Sequence, residues 1–172
     1  MTQLTPLAPR LNTKPGNKES WGNLRGSSRS LALFHAAEQH QSLTLVITPD
    51  TETARRLENE LKFFRGPGRT LPILHLPDWE TLPYDNFSPH QDIISERLLT
   101  LYQLPQTRHG ILVVPVSTVM HRLPPAAFLH SHSLVVKPGQ RFAIDQMRRQ
   151  LENAGYHCVD TVYEHGEFAV RG

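Results

Sequence analysis

A single cysteine, Cys158, stands among 172 residues. The chain therefore cannot close a disulfide within itself, and a disulfide-stapled secreted fold is excluded. Long apolar runs are equally scarce. The longest, Ile111-Leu112-Val113-Val114-Pro115-Val116, falls far short of the roughly 20 residues a membrane helix needs. No basic segment followed by an apolar one opens the chain as a secretory signal would. A cytoplasmic location without membrane association is expected. An excess of charge of one sign is missing too, since 18 Lys plus Arg face 16 Asp plus Glu, a formal +2. The basic residues are dispersed, with Arg55-Arg56 and Arg148-Arg149 as the local pairs. A strong nucleic-acid binder draws its affinity from a concentrated positive field, and the sequence offers none. It shows neither a repeat at solenoid spacing nor a low-complexity tract.

What is present is 38% apolar residue content, enough for one α/β core and the start of a second. Residues 1–20, with Pro6, Pro9, Pro15 and Gly16, follow no helical or strand period and are expected to be a disordered leader. A helix is expected over Ser30 to His40, with Leu33, Phe34, Ala36 and Ala37 on its apolar face and no strand before it. Leu43 to Thr48 is a β-rich run ending at Pro49, and Asp50 or Thr51 can cap the next helix. There Ala54, Leu57, Leu61 and Phe64 recur at spacings of three and four. Gly66-Pro67-Gly68 ends that helix, and Leu71 to Leu76 reads as the next parallel strand.

Pro77 to Asn86 is a loop of acidic and aromatic residues. Ser88-Pro89-His90-Gln91 predicts a helix capped by Ser88, with Ile94, Leu98, Leu101 and Tyr102 as its buried stripe. Ile111 to Val116 has the continuous β-branched character of a strand covered on both faces. Ser117 to Arg122 predicts a short helix ended by Pro124-Pro125. Beyond residue 131 the pattern changes. A strand at Leu134-Val135-Val136 is followed by a turn at Gly139, a helix with Ile144, Met147 and Leu151 on one face, and Gly155 as its cap. Strands are then expected at Cys158 to Tyr163 and Phe168 to Arg171. The expected fold class is α/β: a mainly parallel sheet over residues 21–130, then the first part of a small α+β domain over 131–172. Ending at Gly172 inside an expected strand, the chain reads as truncated.

Few residues suggest catalytic chemistry. The segment Asn23-Leu24-Arg25-Gly26-Ser27-Ser28-Arg29-Ser30 precedes a helix as a phosphate-binding loop does. However, Asn23 and Ser28 stand where that loop has glycines, and Arg29 stands for its lysine. No nucleotide cofactor is expected, although a nucleotide-binding helicase-like domain is the enzyme-class alternative. His130-Ser131-His132 is half a metal site at best, so no metal is assigned. Cys158 could be paired with His157 or His165 as a nucleophile, but a lone cysteine in an apolar strand is usually a small buried hydrophobe. Asp78, Glu80, Asp85 and Asp92 read as a solvated rim. Trp79, Tyr84 and Phe87 could stack on bases, which keeps a DNA-binding module as a second alternative; interleaved with acids, they are expected instead to pin the loop to the core.

The run Asp78-Trp79-Glu80-Thr81-Leu82-Pro83-Tyr84-Asp85, continued by Ser88 to Leu98, resembles the N-terminal module of the bacterial transcription-repair coupling factors (Mfd). Matches continue in order through Val113 to Thr118, Lys137-Pro138-Gly139-Gln140-Arg141, Ala154-Gly155-Tyr156 and Glu164 to Gly172, so the resemblance spans about residue 21 to the end. It implies a degenerate, helicase-like domain similar to the front of the excision-repair protein UvrB, followed by an inserted domain that binds UvrA. It further implies that ATP hydrolysis is absent and that an arginine at the place of Arg171 contacts UvrA. A C-terminal domain of the same protein would mask that surface, while RNA polymerase and DNA would be engaged only through other domains. A monomer is expected.

Overall fold

The computed structural model describes residues 5–11, 14–82, 84–134, 136 and 138–171. The chain divides into two compact units, one up to Ala126 and the other from Ala127.

The first unit is built around parallel strands β1 (Leu43–Thr48), β2 (Ile73–His75) and β3 (Gly110–Pro115), ordered β1-β3-β2. In register, Val46 lies beside Val113 and Ile73 beside Ile111. Parallel pairing requires crossovers; helix α1 (Ser28–His40) precedes β1, and helices α2 (Thr51–Arg65) and α3 (Gln91–Gln103) occupy the chain between the strands. Strand β3 is buried along its whole length, as its run of Ile, Leu and Val requires. Phe34 and Ala37 of α1, Ala54, Leu57 and Leu61 of α2, and Ile73, Ile111 and Val113 of the sheet form one core. Each large side chain removed from water there contributes roughly 1.5–3 kcal/mol.

Helix α2 forms where the periodicity placed it. Asp50 caps it by accepting from the Thr53 amide at 2.6 Å. At the other end Gly66, at φ +58°, returns its N–H to the Lys62 and Phe63 carbonyls. Helix α1 starts at Ser28, two residues before the expected Ser30. Strand β2 covers only Ile73–His75 of the expected Leu71–Leu76, while β3 and the short α4 (Val116–Val119) each begin one residue earlier than expected.

Helix α3 departs further from expectation. Its cap is His90, whose Nδ1 accepts from the Asp92 amide at 3.3 Å. Ser88 lies outside the helix because His90, at ψ 138°, is still extended. The buried face is Arg97, Thr100 and Leu101, and Leu98 is exposed. The expected apolar stripe is thus rotated, for a chemical reason: the carbonyls of Pro77 and His75 are buried at the end of β2 and need donors. Arg97 donates to Pro77 and the Thr100 hydroxyl to His75, the latter at 2.7 Å.

In the second unit, helix α5 (Ala126–His132) was not expected from the sequence. The sequence reads Pro124-Pro125 only as a stop, yet proline also suits the residues at a helix start. Leu134 and Val136 have no regular structure, and Val135 lies outside the described residues. Helix α6 (Ile144–Asn153) ends as expected at Gly155, at φ +88°. The Tyr156 amide reaches the Leu151 carbonyl at 2.9 Å and the Gly155 amide the Glu152 carbonyl at 3.0 Å, the paired bonds of a Schellman cap. The two expected terminal strands shrink to β4 (His157–Cys158) and β5 (Glu167–Phe168), paired in parallel. The connection is drawn into a turn because the Glu167 carboxylate accepts from the Tyr163 and Glu164 amides at 2.8 and 3.0 Å. These two bonds hold its carboxyl below the usual carboxylate range.

Gly110 opens β3 at φ +156°, and a Cβ there would lie 2.8 Å from the Pro72 carbonyl oxygen. That oxygen also accepts from the Ile111 amide at 2.9 Å. Gly110→Ala must therefore push apart the start of the central strand, and its stability should fall by about 1–3 kcal/mol. Urea unfolding of the variant against the parent checks this.

Candidate functional site

The phosphate-loop-like segment lies directly before and within the first turn of α1. Asn23 and Gly26 take left-handed backbone, at φ +61° and +55°. The amide and hydroxyl of Ser28 both go to the Arg25 carbonyl, at 3.2 and 2.6 Å. A phosphate loop leaves such donors free to converge on an anion. Ser30 is fully buried and donates to the carboxylate of Glu60 on α2. Arg29 is exposed and lines a cavity of about 320 Å³ with Leu24, Gly26, Ser27, Arg56 and Glu60. Both charge signs thus share that cavity.

The acidic and aromatic loop is held at Asp78, Trp79 and Glu80. The Arg97 guanidinium, 2% exposed, lies over the Trp79 ring at 4.1 Å from its centroid. Burial pushes the guanidinium pKa down, and the neighbouring Asp78 carboxylate opposes this. Asp78 in turn accepts from the Trp79 amide at 2.8 Å and the Ser117 hydroxyl at 2.6 Å. Glu80, at φ +57°, pairs with Arg55 at 2.7 Å. Asp78 is thus part of a hydrogen-bonded seam, not the solvated rim expected of it, whereas Asp85 and Asp92 are exposed. Tyr84 and Phe87 do not pin the loop to the core, because both are largely exposed. With Leu82 they leave apolar surface next to a cavity of about 420 Å³ lined by Trp79, Leu82, Pro89, Ile94 and His121.

In the second unit Arg171 is exposed, three residues past the end of β5 and outside any strand. Its expected position within a strand is therefore corrected; its side chain remains available to a partner. Cys158 is exposed on β4, contrary to the buried position expected. The side chain of His132 lies outside the described residues, so the His130/His132 pair cannot be placed.

The sequence reading missed a group formed by three separate elements. Glu58 of α2, His75 of β2 and Glu96 of α3 bring their donor atoms within 4.8 Å of one another. His75 Nδ1 lies 3.1 Å from Glu58 and 3.6 Å from Glu96. Lys62 pairs with the second Glu58 oxygen at 2.5 Å. Burial raises the Glu58 pKa, but hydrogen bonds from His75 and Lys62 and their charges outweigh it and hold the carboxyl at about 2. Spacings of 17 and 21 residues carry no short-motif signal that would have revealed the trio.

The fold is that of a two-unit α/β protein, and residues 134–172, within the second unit, match the model of the UvrB interaction domain. The chain is 49% identical over 162 residues to the transcription-repair-coupling factor of Escherichia coli K12, a match that covers 94% of this chain. It is 47% identical to that of Haemophilus influenzae over 95% of the chain, and 33% identical to that of Myxococcus xanthus over 92%. Over nearly its whole length the chain is similar to transcription-repair-coupling factors. It spans 14% of the length of each of these relatives. Among the described residues no helix is long and apolar enough to cross a membrane.

The Arg97–Trp79 stack should carry the loop. Arg97→Ala removes the ring's partner, the Pro77 carbonyl's donor and the charge facing Asp78, so stability should fall by about 3 kcal/mol. Arg97→Lys keeps the charge without the planar face and should recover only part of this. Denaturant unfolding followed by tryptophan fluorescence measures both.

Proposed function

We propose that this chain is a UvrB-like adaptor module of a transcription-repair coupling factor. It recruits UvrA to stalled RNA polymerase in transcription-coupled nucleotide excision repair, and it has no ATPase activity of its own. The observation that carries this reading is the match of residues 134–172 to the UvrB interaction domain, lying wholly within the second compact unit. A docking module that folds as its own unit can present a surface to a partner without rearranging the domain that precedes it.

The first unit, on this reading, is a degenerate helicase-like domain. Its parallel order β1-β3-β2 suits such a fold, and the segment Asn23 to Ser30 supports the loss of nucleotide binding. Donors that should cradle phosphate are spent on the Arg25 carbonyl, and Arg29 replaces a compact ammonium. DNA binding as the principal role is disfavoured because the formal charge of +2 is dispersed and Arg97 covers one face of Trp79, a ring that could otherwise stack on a base. The DNA-translocating motor and the polymerase-binding and masking domains belong to parts of the family's sequence outside these residues. The module works in the cytoplasm as a monomer.

Arg171 is the assigned UvrA contact. An exposed guanidinium past a strand end can pair bidentately with a partner carboxylate. Arg171→Ala should weaken UvrA binding by about 1–3 kcal/mol, and Arg171→Lys should restore only part of it. Calorimetric titration of UvrA into each variant gives the answer. Equal affinity across the three would remove Arg171 from the interface while leaving the adaptor role standing.

A further inference from the structure

We infer that Glu58, His75 and Glu96 form a binding site for a divalent transition metal, Zn²⁺ in the first instance, clamping α2, β2 and α3 together. The three donor atoms come from three elements and lie within 4.8 Å of one another, with His75 Nδ1 at 3.1 Å from Glu58 and 3.6 Å from Glu96. A tetrahedral zinc ion with bonds of about 2.0–2.1 Å holds neighbouring ligand atoms about 3.3 Å apart. Both separations fall close to that edge length, and the third, between the two carboxylates, lies within 4.8 Å, so an ion enters by drawing Glu58 and Glu96 together.

Charge favours the same occupant. Two carboxylates face one imidazole nitrogen, and a single proton on Nδ1 can serve only one of them at a time. Lys62 neutralises the far oxygen side of Glu58 but leaves Glu96 unmatched. A dication at the convergence serves both carboxylates and replaces one proton. The donor set is an imidazole and two carboxylates, which suits zinc; magnesium and calcium prefer sites built wholly of oxygen. Access is one-sided, since His75 is buried and Glu58 nearly so, whereas the Glu96 side chain is half exposed. The ion would enter past Glu96, and water would complete its coordination there. Phosphate chemistry is not implied, and all three residues lie in the first unit.

The test is titration of the full chain, stripped with a chelator, with Zn²⁺ by calorimetry and with Co²⁺ by visible absorption. The parent should bind one Zn²⁺ with high affinity, show the intense absorption of tetrahedral Co²⁺, and unfold at a higher temperature with Zn²⁺ than with chelator. Glu96→Gln alters an exposed side chain and should fold; it should raise the Zn²⁺ Kd by about tenfold or more and abolish the thermal shift. His75→Gln is the second variant and should lose the cobalt spectrum. Absence of binding by the parent, or binding that Glu96→Gln leaves unchanged because other histidines hold the metal, overturns the site.

Discussion

The first unit depends on burying one short strand from both sides. Gly110–Pro115 is flanked by β1 and β2 along its edges and is buried throughout. Every amide and carbonyl in such a strand needs a ladder partner, and every side chain needs apolar cover. The first demand is met by β1 on one edge and β2 on the other. The second brings Phe34 and Ala37 of α1 and Ala54, Leu57 and Leu61 of α2 onto Ile111 and Val113. Cover is less complete at the edge, where Leu45 and Ile47 of β1 are 54% and 52% exposed. The acidic and aromatic loop follows β2, so its position is set by the same packing.

A polar seam runs beside that core and explains why one helix was misread. Periodicity analysis looks for apolar residues at helical spacing, and α2 obeys it with Ala54, Leu57 and Leu61. Helix α3 buries Arg97 and Thr100 because β2 ends in carbonyls that lack ladder partners. A rule that counts apolar residues ranks Leu98 above Arg97 and rotates the helix accordingly. The same blindness hid Glu58, His75 and Glu96, which look unremarkable apart and meet only when two helices cross one strand.

Legibility also differed between the units. The Gly155 cap could be read from its own few residues, because a Schellman turn is a local device. The shrinkage of the final strands could not, because it depends on the Glu167 carboxylate taking two amides from the preceding turn. Arg171 was found through family resemblance, not through any periodic signal, and the structure places it on exposed, non-strand backbone. In the phosphate-loop-like segment the absent glycines and lysine were visible in the sequence. The consumption of Ser28's donors by Arg25 became visible only in the fold.

The central claim is that the second unit docks UvrA while the first does no nucleotide chemistry. Its most direct test is a calorimetric titration of purified UvrA with this chain, with ATP and duplex DNA titrated separately. The account predicts saturable UvrA binding and no heat from ATP. Saturable ATP binding without UvrA binding would contradict it and return the chain to the nucleotide-binding class.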